Sequence, residues 1–206
     1  MTLQVTRQSR GHWSVILISH AITLNSHDGP LRLHLKTTQP SMTTTNITPS
    51  DIPHRCRLRD LGIEIGELPC GKYNSITDAG VLVGHATLIS GDGKLIRGEG
   101  PVRTGVTVIL PHDRDLWKER CSAGSFVLNG NGTVTGLDWL QESGLLEGPI
   151  ALTNTFAVGD VYRSMLKWMI SKYPALAASD DTYLPVIGEC DDSRLNDIQG
   201  MYCCLY

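Results

Sequence analysis

Residues 106–110 read Val-Thr-Val-Ile-Leu, a continuous β-branched and apolar run that stops at Pro111. Such a run predicts a strand packed on both faces, because a strand with one wet face would alternate polar with apolar residues. It therefore demands one layer above and another below. The stretch 149–155, Pro-Ile-Ala-Leu-Thr-Asn-Thr, reads as a second buried strand, and 183–189, Tyr-Leu-Pro-Val-Ile-Gly-Glu, as a last short one. From Gly80, alternation puts Val81, Val83 and His85 on one face and Leu82, Gly84 and Ala86 on the other, a strand with small residues on one side.

The covering layers come from helical spacing. Val158, Tyr162, Met165, Leu166, Met169, Ile170 and Tyr173 recur on one helix face until Pro174 ends the run. Thr135 followed by Asp138 makes a capping-box-like start for a helix over 137–143, which Gly144 can stop. Strands outnumber helices, and the helices are placed to cover a sheet, so the expected class is an α/β layered domain. Between the expected strands 125–128 and 133–136 stands Asn129-Gly130-Asn131-Gly132. One Asn-Gly pair would already close a tight hairpin; two in succession point to backbone passing close to a ligand or another chain.

Texture divides the chain near Arg57. Residues 1–56 carry five Lys/Arg against Asp28 and Asp51, about +3, and the remaining thirteen against nineteen give about −6. The first segment reads as a tail without regular structure, with a faint likeness to a targeting peptide in Arg7 and Arg10 ahead of an apolar patch, and Met42 is an alternative start. Its end, 37–50, is a linker with eight Ser/Thr in fourteen residues. Residues 57–200 form the expected domain, and 201–206 a divergent tail. A mildly acidic body without a basic run excludes a nucleic-acid footprint. No apolar run has the length of a membrane span. The six cysteines show no CxxC pair, which argues against zinc and a disulfide framework and for a reducing, cytoplasmic setting.

Few residues announce chemistry. The common nucleophile-elbow, zinc, phosphate-loop and dinucleotide motifs are all absent. His20, His27 and His34 recur every seven residues without companion ligands, and His85 and His112 read as structural. Asp180-Asp181 and Asp191-Asp192 lack the alternating spacing of a calcium loop, so no metal or cofactor is expected. The polar residues that stand out are Asn129 and Asn131 in the loop, with Thr153, Asn154 and Thr155 ending an apolar strand, where α/β folds collect sites. An Asn amide can donate to a developing oxyanion.

The blocks RLRDLG (57–62), YNSITDAGVLVGH (73–85), GPVRTGVTVILP (100–111), the whole of 126–155, VGDVYRSMLKW (158–168) and LNDIQG (195–200), in that order, resemble the DmpA-type serine aminopeptidases. This family includes L-aminopeptidase/D-esterase and the β-peptidyl aminopeptidases. The resemblance implies an αββα sandwich akin to N-terminal nucleophile hydrolases, here in part. It implies a precursor that cuts itself at a Gly-Ser bond into α and β chains, exposing a serine whose own α-amino group is its base. It also implies a small peptide, amide or ester substrate, the β chain as partner, and a homo-oligomer when complete.

Family members continue well past the block at 195–200, so the nucleophile is expected beyond Tyr206, with no catalytic residue inside this chain. The chain's sole Gly-Ser bond, Gly124-Ser125, falls in the middle of the α-type sequence. The resemblance gives Asn129, Asn131, Asn154, Thr155 and Tyr162 as cleft candidates, Tyr162 alternatively being a core tyrosine. The competing expectation is a non-catalytic fragment that binds peptide or associates with full-length paralogues.

Overall fold

A computed structural model describes residues 2–7, 13–19, 58–63, 66–67 and 69–202. The chain divides into two units, 23–70 and the combination of 1–22 with 71–206. The described part of the first holds a 3₁₀ turn at Leu58–Leu61. The expectations for His20, His27, His34, the 37–50 linker, Met42, Cys203 and Cys204 lie outside the described residues.

Among the described residues the larger unit holds two sheets of four strands. One runs β1 (Thr2–Arg7), β2 (Trp13–Ser19), β5 (Cys121–Val127), β6 (Leu145–Leu146); the other runs β3 (Leu82–Ser90), β4 (Val102–Leu110), β7 (Ile150–Thr153), β8 (Val186–Glu189). β1 and β2 form an antiparallel pair, and β2 lies parallel to β5, so two strands occur where the sequence reading has a tail. The Trp-Ser-Val-Ile-Leu-Ile-Ser run of β2 carries enough β-branched residues to extend along a neighbouring strand.

The second sheet shows why its strands need two covers. β4 pairs antiparallel with β3 and β7, and β7 parallel with β8. Register partners Ile109, Ile150 and Val186 point to one face and Val108, Ala151 and Ile187 to the other. On the first face Ile109, Ile150 and Val186 pack with Cys121 of β5, Leu146 of β6 and Leu140 of α1 (Leu137–Ser143). On the second, Ala151 and Ile187 pack with Val161, Met165 and Met169 of α2 (Val158–Lys172). The layers are therefore α2, second sheet, first sheet, the α/β layered class that the sequence implies. The both-faces expectation for 106–110 holds at Val106 and Ile109, whereas Val108 and Leu110 keep a half-open side.

α2 ends as expected, its cap residue Tyr173 standing just before Pro174. Gly144 closes α1 in a left-handed conformation. The capping box does not form. Gly136, at φ 71°, is the N-cap of α1, and no side chain bonds there. The Thr135 hydroxyl instead donates to Pro185 O at 2.6 Å and accepts from Ile187 N at 2.9 Å, which pins the start of α1 to β8.

Candidate functional site

The Asn-Gly loop is a crossing between sheets and not a hairpin. β5 leaves the first sheet at Val127, and Val134 then forms an antiparallel bridge with Gly188 of β8 in the second. On either side of that bridge Thr135 N donates to Ile187 O, and Glu189 N donates to Thr133 O at 3.1 Å. Register alone could not have shown this, because the partner lies some fifty residues further along the chain.

This crossing brings the loop to the end of β7. Glu189 is the register partner of Thr153, and Cys190 N donates to Thr153 O at 2.8 Å. Thr133, on one side of β8, and Thr153, on the other, thus flank Glu189, and Asn154 and Thr155 follow at once. The structure gathers the landing point of the loop and the strand end 153–155 at one end of the second sheet, where strand C-termini and the following turns leave backbone groups for a ligand. Sequence reasoning missed Glu189; a carboxylate closing an apolar strand was the available signal.

The individual candidates differ. Asn129 and Asn131 are exposed, and Asn131 N donates to Asn129 Oδ1 at 3.0 Å, so Asn129 organises the loop tip as an Asx turn. Asn154 is buried, with both ends of its amide engaged. Its Oδ1 accepts from Phe156 N at 3.1 Å and Ala157 N at 3.0 Å, capping the turn Thr155–Ala157 that leads into α2, and its Nδ2 donates to Thr104 Oγ1 at 2.8 Å. Its amide positions the strand end and is not spare for a substrate. Thr155 is half-buried in that turn. Tyr162 is half-buried one turn into α2 and packs on the cluster beneath it. Desolvation, then the Glu147 carboxylate and the Tyr162 hydroxyl, push the neighbouring Tyr183 phenol far above its ordinary range.

Other groups are occupied with the fold. His112 is buried with Nε2 against Glu119 O at 2.8 Å, and its Nδ1 accepts from Arg114 N; His85 bonds Thr107 across the ladder. Asp180 accepts the Trp117 indole N–H, and Asp191 accepts Ser193 N. No group of three metal-binding side chains occurs among the described residues. Desolvation pushes the Cys190 thiol up, away from the thiolate that nucleophilic sulfur needs. Gly124-Ser125 lies inside β5, in register with Ile16 and Leu17 of β2, and the Ser125 hydroxyl is buried. A peptide bond held in a ladder is poorly placed for scission. Among the described residues no helix is long and apolar enough to cross a membrane.

Residues 74–204 match the model of Peptidase family S58. The chain is 48% identical over 145 residues to the β-peptidyl aminopeptidase BapA of Sphingosinicella xenopeptidilytica, covering 70% of this chain and 35% of that protein. The PH0078 protein of Pyrococcus horikoshii OT3 superposes with a TM-score of 0.67 at 47% identity, over 71% of this chain and 42% of its own. The L-aminopeptidase D-Ala-esterase/amidase of Ochrobactrum anthropi, described as a prototype of the serine aminopeptidases and a variant of the Ntn hydrolase fold, superposes at 0.58 with 36% identity over 71% and 40%. The chain thus spans about a third of the length of the curated relatives it matches, at 35% and 36%.

Proposed function

The chain belongs to peptidase family S58, and from that membership we propose that it supplies the α-type part of a self-processing N-terminal-serine aminopeptidase. Its substrates are small peptides, amino-acid amides or esters, from which the assembled enzyme releases the N-terminal residue. The observation that carries this reading is the coincidence of the S58 match with an α/β/β core whose sheet end gathers Thr133, Glu189 and Thr153–Thr155.

In this reading the nucleophile is a serine at the N-terminus of a β-type segment outside these 206 residues. Its α-amino group has an unperturbed pKa of about 7.7–8.0 and takes the hydroxyl proton, so no His–Asp relay is needed. That fits a body whose two histidines are tied up in structural bonds. Asn131, Thr155 and Tyr162 are the groups of this chain that line the cleft receiving the serine. Asn129 shapes the loop and Asn154 fixes the strand end from which Thr155 projects. The complete enzyme is a cytoplasmic homo-oligomer, and this chain alone is inactive because the covalent step has no nucleophile.

The test is hydrolysis of amino-acid p-nitroanilides and of a β-alanine amide by the purified chain, alone and mixed with a β-type polypeptide of an S58 relative. Activity only in the mixture supports the reading. Turnover by the single chain overturns it, as does a stable mixed complex with no turnover of any of these substrates.

A further inference from the structure

A cavity of about 190 Å³ opens beside the turn Thr155–Ala157, lined by Arg97, Phe156, Asp197, Ile198 and Gln199 among others. Two segments clasp each other to build it. The connection from β3 to β4 carries Arg97, and 195–200 lies against that connection. Asp197 N donates to Pro101 O at 3.1 Å, and Gly98 N donates to Asp197 Oδ1 at 3.0 Å. Next to them Arg103 N donates to Asn196 Oδ1 at 2.9 Å, and Arg103 Nη1 donates to Leu195 O at 3.1 Å. These bonds fix the walls of the cavity without help from a ligand.

Two opposite charges line this cavity without meeting. Arg97 is exposed and makes no hydrogen bond or ion pair with any described residue. Asp197 is 1% exposed, and its carboxylate has only uncharged partners among the described residues: Gly98 N at Oδ1 and, at a long 3.5 Å, the Tyr202 hydroxyl at Oδ2. A buried carboxylate without a cation is costly, and a cation brought to it in a dry site is held strongly. Phe156, 51% exposed, and Ile198 add apolar wall. The volume lies below the roughly 300–1,000 Å³ of pockets that take drug-sized ligands. The fitting occupant is therefore a small molecule that carries an anion, a cation and a short apolar group together.

We propose that this cavity binds a free α-amino acid with a small apolar side chain. The Arg97 guanidinium takes the carboxylate, which it can grip with two parallel N–H bonds. The α-ammonium turns to Asp197 Oδ2, and the side chain lies against Phe156 and Ile198. A residue still joined in a peptide, amide or ester lacks one of the two charges on its Cα substituents, so the site separates the free amino acid from the molecules it came from. What that binding is for rests on the S58 reading above. A free amino acid is the product class of an aminopeptidase, and Phe156 directly follows Thr155 of the proposed cleft. A product molecule held there stands next to the cleft and slows the following turnover.

The isotope-labelled 206-residue chain is titrated with L-alanine and followed by its amide NMR signals. The expected result is a saturable shift of the Gly98, Phe156 and Ile198 signals. N-acetyl-L-alanine, without the ammonium, and L-alaninamide, without the carboxylate, should each bind about 10-fold or more weakly, since each gives up one charge-assisted pair. Arg97→Gln, at an exposed side chain with no described partner, should weaken alanine by about 10-fold or more and leave alaninamide within about 3-fold. Asp197→Asn keeps an acceptor for Gly98 N and should weaken alanine while sparing N-acetyl-L-alanine; if that variant does not fold, the Arg97 variant decides alone. No saturable shift at these amides, equal affinity for the three ligands, or wild-type alanine binding by Arg97→Gln overturns the proposal. Alanine binding by a chain whose mixture with a β-type polypeptide hydrolyses no substrate upholds the site and sinks the proposed activity, whereas hydrolysis without alanine binding does the reverse.

Discussion

The Asn154 amide joins two elements by one side chain, donating to Thr104 Oγ1 of β4 at 2.8 Å while its carbonyl oxygen caps the turn into α2. Both residues are buried. Loss of a cap costs about 1 kcal/mol and loss of a buried hydrogen bond about another, so Asn154→Ala should lower stability by roughly 2 kcal/mol in urea titration. Asn154→Asp keeps the capping acceptor and should recover about half. A cycle with Thr104→Val should give a coupling of about 1 kcal/mol; additive effects would mean that the Thr104 contact contributes nothing.

A second junction forms around Glu147, 6% exposed, which holds Arg120 at 2.7 Å and accepts the Trp139 indole N–H at 3.0 Å. Arg120 also lies 4.7 Å from the Trp117 ring centre. Removing one partner strands the other's charge, so Arg120→Met should cost about 3 kcal/mol. Combining Arg120→Met with Glu147→Gln, which removes both charges and keeps an acceptor for the Trp139 indole, should restore most of that loss. A double variant no more stable than the single one would show that the pair itself, and not the avoided stranded charge, stabilises this corner.

These junctions mark where the sequence was legible. Local patterns read well: the period-two alternation that sends Ile150 and Ala151 to opposite layers, the helical stripe of α2 through Met165 and Met169, and Pro174 beyond its end; the stripe's edge did not, since Ile170 is exposed and Val161, outside it, is buried. Long-range choices did not. Thr135 with Asp138 looks like a capping box, but its hydroxyl is taken by β8 around residue 186, and no local pattern reports that competition. The two Asn-Gly pairs resemble a hairpin for the same reason; the bridge from Val134 to Gly188 sends the chain to the other sheet. Asn154 read as a site residue because it ends an apolar strand. Its place just ahead of the Val158 periodicity was equally a cap signal.

Tyr183 offers a pH test. Its phenol is raised by burial first and then by Glu147 and Tyr162, so the folded chain holds the proton more tightly than the unfolded one. Below the unfolded pKa of about 10 both states are protonated and the full stability is present; as pH rises beyond it the unfolded state ionises first, and stability falls by up to about 1.4 kcal/mol per pH unit. Tyr183→Phe keeps the edge-on contact with Trp117 and loses only a 3.4 Å bond to Pro149 O. It should cost under about 1 kcal/mol at pH 7 and flatten the decline above pH 10. An unchanged alkaline profile would assign the decline to other groups.

The glycines of the crossing loop separate backbone need from chemistry. Gly132 sits at φ 124° and Gly136 at φ 71°, whereas Gly130 lies outside the left-handed region with nothing within 4 Å of a built Cβ. Gly130→Ala should therefore change stability by less than about 0.5 kcal/mol. Gly132→Ala should cost about 1–2 kcal/mol for its backbone alone. Gly136→Ala should cost the most, about 3 kcal/mol, because its Cβ would also stand 2.9 Å from Pro185 O, in the tether between α1 and β8. Asn131→Ala deletes polar groups at an exposed tip and should leave the melting temperature within about 1 °C. In the mixed enzyme it should nevertheless slow amide hydrolysis, by on the order of 100-fold if its amide donates to the oxyanion. Asn129→Ala should lose both some stability and some rate, since it holds the turn on which Asn131 stands. If Asn131→Ala retains full turnover, the loop acts only as the connection between the two sheets, and the cleft has to be built from the Thr153–Thr155 side.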